Sequence, residues 1–522
     1  MAGLGRHATK TRTACLTCKK RRVKCGLERP SCARCLKAGR TCDGYQLSVV
    51  EGFPVRTTKD TAPLHLSNTS SLLSAFRATQ PEWQAYGYYH HRISSVLAGA
   101  FESDLWQRMI VQVAETEPTV RQGIFALGNL FRHSQCFSDD IADCMCTHCR
   151  QALRYYGKSI RSFSNYLQRS STQCAADVAL LTCLIYICIE SYRMNDVNAI
   201  ALISKGCGMI TEASPESADS QSKALSPRLV NLFDRLWLLA NMFGSRKPRP
   251  TARPSQVLIP SQFPPIDTVE TARNRLHDIV ASIQSLRLRV FQSQYYAKSD
   301  VERYAAIEGL LGEQEALVLT LIDWQHDFQD LVQRPGLEML QQSQVWYILT
   351  VQYLIAKISA SASMDPAARE SEDQSEDFIN LVAVAELGLT KYPPTAEAKR
   401  YSFESPFLPA LYLTTRKCRN PIIRRKALEL MSLTGVKEGL WYRSELMCIG
   451  ARVIELEEGL AILGSDEQPE PSDRQTLRFY DVLVELNYRK AGKTLVDITY
   501  LIYDTNLDER WRYMKETLTI GE

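Results

Sequence analysis

"CLTCKKRRVKCGLERPSCARCLKAGRTC", residues 15–42, contains six cysteines at a repeated spacing. The first three read C-x2-C-x6-C, and the last three repeat that pattern 17 positions later. No apolar signal segment precedes them, so we expect a reducing compartment, where paired C-x2-C elements are zinc ligands more often than disulfides. The sequence therefore predicts a metal site with these ligands: Cys15, Cys18, Cys25, Cys32, Cys35 and Cys42.

The six cysteines limit how many zinc ions the segment can bind. Two tetrahedral zinc ions need eight bonds, and six thiolates supply eight only if two of them bridge both ions. We therefore expect two Zn²⁺ per chain, with one shared cysteine from each half of the repeat. The competing arrangement is a single four-thiolate site, which leaves two cysteines without a role; its ligands are Cys15, Cys18, Cys32 and Cys35.

The charge distribution separates this segment from the rest of the chain. Twelve lysines and arginines but one acidic residue lie within residues 1–42, whereas the whole 522-residue chain carries a formal net charge of only +4. The remainder is therefore mildly acidic. Five of the cations lie within residues 19–24 and repel one another, so this run needs zinc at both ends to become ordered. A small cationic module of this kind indicates a polyanionic partner, with double-stranded DNA as the first candidate.

The same segment resembles the DNA-binding module of the fungal Zn2Cys6 binuclear cluster transcription factors. The resemblance covers the six cysteines, the basic run after Cys18, Pro30 and the C-x2-C-x-K element. It implies a two-helix cluster in which Cys15 and Cys32 bridge the ions and which enters the major groove of DNA. By position in the family motif, Arg21 and Arg22 would read a CGG-type triplet. The phosphate contacts would come from Lys19, Lys20, Lys24, Arg34 and Lys37.

Residues 43–82 contain Gly44, Gly52, Pro54, Pro63, Pro81 and the tract "SNTSS", and they predict a linker. They lack the three apolar heptads that a coiled-coil dimer needs. The protein either binds DNA as a monomer or forms a homodimer through its larger part. We therefore divide the chain into a Zn2Cys6 DNA-binding domain (1–45), a flexible linker (46–82) and a regulatory domain (83–522).

Helical periodicity dominates the chain beyond residue 83, and the fold class is therefore all-α. The predicted helices are 103–114, 118–132, 146–168, 173–191, 195–212, 226–243, 270–294, 300–330, 339–360, 376–390 and 445–460. The acidic and proline-rich stretches at 246–265, 369–377 and 464–473 predict connecting loops. The longest apolar run, 178–189, is too short to span a bilayer, so we expect no membrane association.

Three stretches of this region are similar to successive helices of the fungal-specific regulatory domain that follows the cluster in the same family. They are "FESDLWQRMIVQVAETEPTVRQGIFALGNLF" (101–131), "RQALRYYGKSIRSF" (150–163) and "ALLTCLIYICIESYRMNDVNAIALISKGCGMI" (179–210). The resemblance implies a nuclear, zinc-dependent transcription factor that acts on genes read by RNA polymerase II. Its further partners would be the transcription machinery or co-regulators.

Other interpretations remain open. No G-x-S-x-G, H-E-x-x-H or Walker A motif occurs, and we expect no enzyme and no catalytic residue. An enzyme body fused to a DNA-binding module and a zinc module that docks a protein are the alternatives. The basic run alone could serve nuclear import.

A second group of cysteines, "CMCTHC" (144–149), lies near His133, Cys136 and His148. It could form another metal or redox site. The helical spacing of Cys146, Cys149, Leu153 and Tyr156 favours a buried helix face instead.

Overall fold

Helices form most of the chain in a computed structural model of the protein. The structure describes residues 17–18, 21, 23, 25, 32–39, 78–133, 144, 146–169, 174–212, 226–242, 265–296, 300–364, 372–404, 406–459, 479–484, 488–490, 493–503 and 511–520. The chain divides into two compact units, Met1–Thr69 and Ser70–Glu522. The three predicted domain ranges stay predictions, although a helix begins at Gln80, inside the expected linker.

The first unit contains helix α1 (Ala33–Lys37) after the fourth cysteine of the repeat. Thr17 and Cys18 are also helical, and the Arg21 N–H donates to the Thr17 carbonyl at 3.1 Å.

The second unit confirms the all-α class, and every predicted helix is present within a few residues. Its α-helices are α2 (Gln80–Tyr88), α3 (Ser94–Ala98), α4 (Ile110–Thr116), α5 (Pro118–Arg132), α6 (Thr147–Arg169), α7 (Cys174–Tyr192), α8 (Asp196–Glu212), α9 (Pro227–Met242), α10 (Val269–Tyr296), α11 (Asp300–Gln333), α12 (Gln344–Ser361), α13 (Glu372–Lys391), α14 (Ala396–Arg400), α15 (Leu408–Lys417), α16 (Pro421–Met431) and α17 (Arg443–Glu457). Short π-helices at Tyr89–Ile93 and Asp104–Met109 and a 3₁₀ helix at Glu338–Gln342 complete the set in the described ranges.

Two apolar cores organise these helices. Helices α2 to α9 surround the first core, in which Trp106 is fully buried, and α10 to α13 and α15 to α17 contribute to the second, around Trp324. Helix α7 lies at the centre of the first core, with residues 179–192 buried without interruption. Because it is covered on all sides, its sequence is apolar without helical alternation. Among the described helices none has the length and apolarity that crossing a membrane requires.

Buried charges join segments that are distant in sequence. Arg273 on α10 donates to Glu102 at 2.9 Å and to Glu404 at 2.8 Å. Arg228 and Arg235 on α9 also bind Glu102. Ion pairs that are taken out of water hold only when each charge has partners, so this network fixes α9, α10 and the residues before α15 to one another.

A short hairpin of strands β1 (Lys437–Glu438) and β2 (Trp441–Tyr442) packs among the helices and is buried. The Lys437 ammonium group donates to the Ser191 carbonyl at 2.7 Å and to Asp196 at 2.6 Å. Burial lowers the pKa of Lys437, although the Asp196 carboxylate opposes that effect. The hairpin therefore connects the C-terminal third of the chain to the ends of α7 and α8.

The C-terminal part contains an antiparallel sheet that the sequence analysis did not predict. Strand β5 (Lys493–Tyr503) pairs with β3 (Phe479–Val484) and β4 (Tyr488–Lys490) along one edge and with β6 (Trp511–Ile520) along the other. The expectation of helices throughout the body therefore needs this correction.

The sheet packs on helix α17 through both apolar and charged contacts. Val496, Ile498 and Tyr500 are buried in the second core. Arg452 on α17 donates to both carboxylate oxygens of Glu516 on β6, at 2.9 and 3.1 Å. The strands are therefore an integral layer of the second core.

Candidate zinc cluster and nucleic-acid interface

Four of the six predicted zinc ligands lie in the described part of the chain, and the structure brings them together. Cys18, Cys25, Cys32 and Cys35 are all buried and form a small core of their own, with Val23 packed against them. Cys15 and Cys42 lie outside the described residues. In a module this small the sulfur atoms take the place of a hydrophobic core.

The distances between sulfurs fit a zinc–thiolate site. The Cys18 Sγ lies 3.7 Å from the Cys32 Sγ and 3.8 Å from the Cys35 Sγ. Two thiolates on one tetrahedral zinc ion lie about 3.8 Å apart, because each Zn–S bond is about 2.3 Å long. The Cys18, Cys25 and Cys32 sulfurs are all within 4.8 Å of one another. No disulfide joins the described cysteines.

Local structure sets the position of Cys32. This residue is the N-cap of α1, and its sulfur accepts a hydrogen bond from the Cys35 N–H at 3.3 Å. Helix α1 therefore begins at a predicted ligand, Cys32, and its first turn contains another, Cys35.

Three of the predicted DNA-contacting residues lie in the described part of this unit. Arg21, Arg34 and Lys37 are exposed to solvent, and the last two lie in the final turn of α1, where positive charge is favourable. Lys19, Lys20, Arg22 and Lys24 lie outside the described residues. Three of the seven predicted basic contacts can thus be placed, and all three are available to a polyanion.

Comparisons with known proteins agree with this geometry. Residues 13–49 match the family model of the fungal Zn(2)-Cys(6) binuclear cluster domain, and residues 85–324 match that of the fungal specific transcription factor domain. The chain therefore belongs to the fungal transcription factors that carry a binuclear zinc cluster and this helical domain. The predicted cofactor, two zinc ions, is confirmed by the match to a binuclear domain.

Several curated proteins are similar to the chain over different lengths. The aspercryptin biosynthesis cluster-specific transcription regulator atnN of Emericella nidulans is 23% identical over 61% of this chain and 54% of its own length. The transcription regulator lscL of Purpureocillium lilacinum is 23% identical over 71% of this chain and 93% of its own. White-opaque regulator 2 of Candida albicans is 51% identical over 37 residues.

The alignments differ in how much of each relative they cover. The chain spans about half the length of the Emericella relative. No solved structure matches the chain.

Proposed function

We propose that the protein is a nuclear transcription regulator whose zinc cluster binds double-stranded DNA in a sequence-specific manner. The observation that carries this proposal is a buried group of cysteine sulfurs in the same small unit as the exposed Arg21, Arg34 and Lys37. A zinc-fixed core holds cations in place before DNA arrives, so that less conformational entropy is lost on binding. The family match supports the same role. We propose no catalytic activity for the helical body.

The residue roles follow from position in the motif. The two ions would be held by Cys15, Cys18, Cys25, Cys32, Cys35 and Cys42, with Cys15 and Cys32 bridging. Arg21 and Arg22 would donate to guanine O6 and N7 of a CGG-type triplet, since arginine matches that edge with two hydrogen bonds. Phosphate contacts would come from Lys19, Lys20, Lys24, Arg34 and Lys37.

Selection of binding sites from random duplex DNA tests this proposal. Zinc-loaded full-length protein should enrich a CGG-type triplet, and a sample treated with a chelator should enrich nothing. A single triplet indicates a monomer on DNA, whereas paired triplets at fixed spacing indicate a homodimer through the helical body. Failure of the loaded protein to enrich any sequence would refute DNA reading and leave a protein-docking module as the better interpretation.

Two variants separate base reading from phosphate contact. Arg22→Ala should lower specific affinity by about 1 to 3 kcal/mol and relax the triplet preference. Lys37→Ala should weaken binding to all sequences and reduce the salt dependence by about one phosphate contact. Equal effects of both variants on specific and nonspecific DNA would contradict the assigned roles. Zinc content of each variant, measured alongside, should equal that of the unmodified protein.

A further inference from the structure

A second group of metal-ligating side chains lies in the helical body, where α5 ends and α6 begins. The His133 Nδ1 lies 3.4 Å from the Cys149 Sγ and 3.7 Å from the Cys146 Sγ. Cys144 completes the group, and one donor atom from each of the four residues lies within 4.8 Å of every other. Of the sequence candidates, His148 is not part of the group, and Cys136 lies outside the described residues.

The structure does not support the interpretation of these cysteines as one apolar helix face. Cys146 precedes the first residue of α6, Thr147, so it does not belong to the helical repeat that the spacing suggested. Leu153 is 39% exposed. His133 is fully buried and lies at the C-terminal end of α5, next to the thiols. The His133 imidazole is a polar group among three thiols. Such a group is not expected in an apolar helix face, so the arrangement favours a metal site.

The separations match those around a tetrahedral zinc ion. A nitrogen and a sulfur bound to the same zinc lie about 3.6 Å apart, given bonds of about 2.0 and 2.3 Å. The two measured nitrogen–sulfur distances lie on either side of that value. Three sulfurs and one imidazole are a ligand set that selects zinc over magnesium, calcium or manganese.

Backbone N–H groups that donate to the sulfurs also favour a metal site. The Cys146 N–H donates to the Cys144 Sγ at 3.4 Å, and the Cys149 N–H donates to the Cys146 Sγ at 3.3 Å. Cys149 lies in the first turn of α6, a helix of 23 residues. Both the N–H donors and the N-terminal end of the helix stabilise negative charge on sulfur.

A bound divalent cation would offset the repulsion among three thiolates at this spacing.

We propose that His133, Cys144, Cys146 and Cys149 form a Cys3His zinc site that fastens the end of α5 to the start of α6. All four positions around the ion would be occupied by protein, which is typical of a structural site and leaves none for a substrate. The site would close the loop between the two helices, and this loop closure would stabilise their pairing. It shares no ligand with the N-terminal cluster.

Zinc content of the full-length protein provides the test. The double variant Cys146→Ser/Cys149→Ser should contain one zinc ion per chain fewer than the unmodified protein. Elemental mass spectrometry measures the zinc-to-protein ratio of both proteins after the same purification. This difference does not depend on how fully the N-terminal cluster is loaded. Cys448→Ser is the matched control, because Cys448 is a half-buried cysteine of the same unit outside both groups, and it should leave the count unchanged.

A second measurement covers the case in which the double variant does not fold. In cobalt-substituted protein, His133→Cys should keep the ion and increase the sulfur-to-metal charge-transfer absorption, since a fourth thiolate replaces the imidazole. Equal zinc content in the unmodified protein and the folded double variant would overturn the proposal. An unchanged cobalt spectrum in His133→Cys, or a native Cys146–Cys149 disulfide found by peptide mass spectrometry, would do the same.

Discussion

Arg273 Nη1 lies 2.9 Å from Oε1 of Glu102, although 171 positions separate the two residues. Glu102 is 4% exposed and also pairs with Arg228 and Arg235. One carboxylate thus neutralises guanidinium groups from two helices. Burial and, next, the neighbouring Arg273 lower the pKa of Arg235 to about 10, while the Glu102 carboxylate opposes this shift. Of the three guanidinium groups, Arg235 therefore depends most on Glu102.

Replacing this carboxylate should destabilise the helical body strongly. Glu102→Gln keeps the shape of the side chain but leaves the buried Arg235 guanidinium without its carboxylate partner, whereas Arg273 keeps Glu404 and Arg228 keeps Asp104. We expect a loss of about 3 kcal/mol in the free energy of unfolding. Glu386→Gln is the control, because Glu386 pairs with Lys426 at the surface and should cost less than about 1 kcal/mol. Urea unfolding followed by circular dichroism measures both. Similar midpoints for the two variants would contradict the role of the network.

Two glycines on α8 should respond in opposite directions to alanine. A Cβ atom at Gly206 would lie 2.1 Å from the Phe233 ring on α9, whereas a Cβ at Gly208 meets no atom within 4 Å. Gly206→Ala should therefore cost about 1 to 3 kcal/mol through overpacking. Gly208→Ala should stabilise the protein by about 0.5 to 1 kcal/mol, because alanine loses less backbone entropy in a helix. Thermal unfolding midpoints measure both effects. A shift of the same sign in both variants would show that α8 and α9 do not pack as described.

Glu445 should make the body less stable as pH rises. Burial, and then the nearby Asp196 carboxylate, raise the pKa of Glu445 from 4.5 to about 8, while Lys437 opposes the shift. Because the folded state holds this proton more tightly than the unfolded chain does, its contribution is complete below about pH 4.5 and is lost as pH rises toward 8. The loss is at most about 3 kcal/mol between pH 5.5 and 8.

The variant Glu445→Gln isolates this effect. It cannot ionise, so its unfolding midpoint in urea should fall less than that of the unmodified protein between pH 5.5 and 8. Glu429→Gln, at a side chain that is 71% exposed, should keep the original pH dependence. Parallel pH profiles for the unmodified protein and Glu445→Gln would rule out a titrating Glu445 in this range.

Glu516 should contribute more to stability than Glu455, although both pair with Arg452. The Glu516 carboxylate is about one-fifth exposed, receives three hydrogen bonds from Arg452 and accepts another from the Tyr500 hydroxyl at 3.1 Å. Glu455 is about half exposed and makes one longer contact. We expect Glu516→Gln to cost about 1 kcal/mol and Glu455→Gln much less. Protease sensitivity of residues 493–520 provides the readout, and equal sensitivity would mean that the pair does not hold the sheet to α17.

The helices that sequence predicted best are those with an apolar stripe or a long apolar run, such as α5 and α7. Helices α15 and α16 are absent from the predicted set, and they contain Pro409 and Pro421. In the structure each proline lies in the first turn, where its missing N–H is not needed.

The sheet was missed for a different reason. Strand β5 contains many β-branched and aromatic residues, but its stability comes from pairing with the flanking strands β3 and β6. The strand propensity of one segment depends on such partners and is a weak signal by itself.

The candidate sites also differ in how far sequence alone could predict them. The repeated spacing predicted that Cys18, Cys25, Cys32 and Cys35 would meet, because a duplicated C-x2-C pattern is a recognisable ligand arrangement. His133 directly follows α5 and Cys149 lies in the first turn of α6, so the approach of the imidazole to the thiols depends on how these two helices pack. Contacts to DNA bases depend on a partner that the sequence does not contain, so those roles rest on resemblance.

The bond between the Lys437 ammonium group and the Ser191 carbonyl spans 246 positions, and this separation has a consequence for synthesis on the ribosome. At typical elongation rates, about 10 to 50 seconds pass between the emergence of these two segments. During that interval the first apolar core lacks Tyr401, Phe403 and Leu440, which come from the later part of the chain. This core therefore exposes apolar surface until the C-terminal third of the chain is made. The predicted ligands of the N-terminal zinc module, by contrast, lie within 28 residues, so that module can fold first.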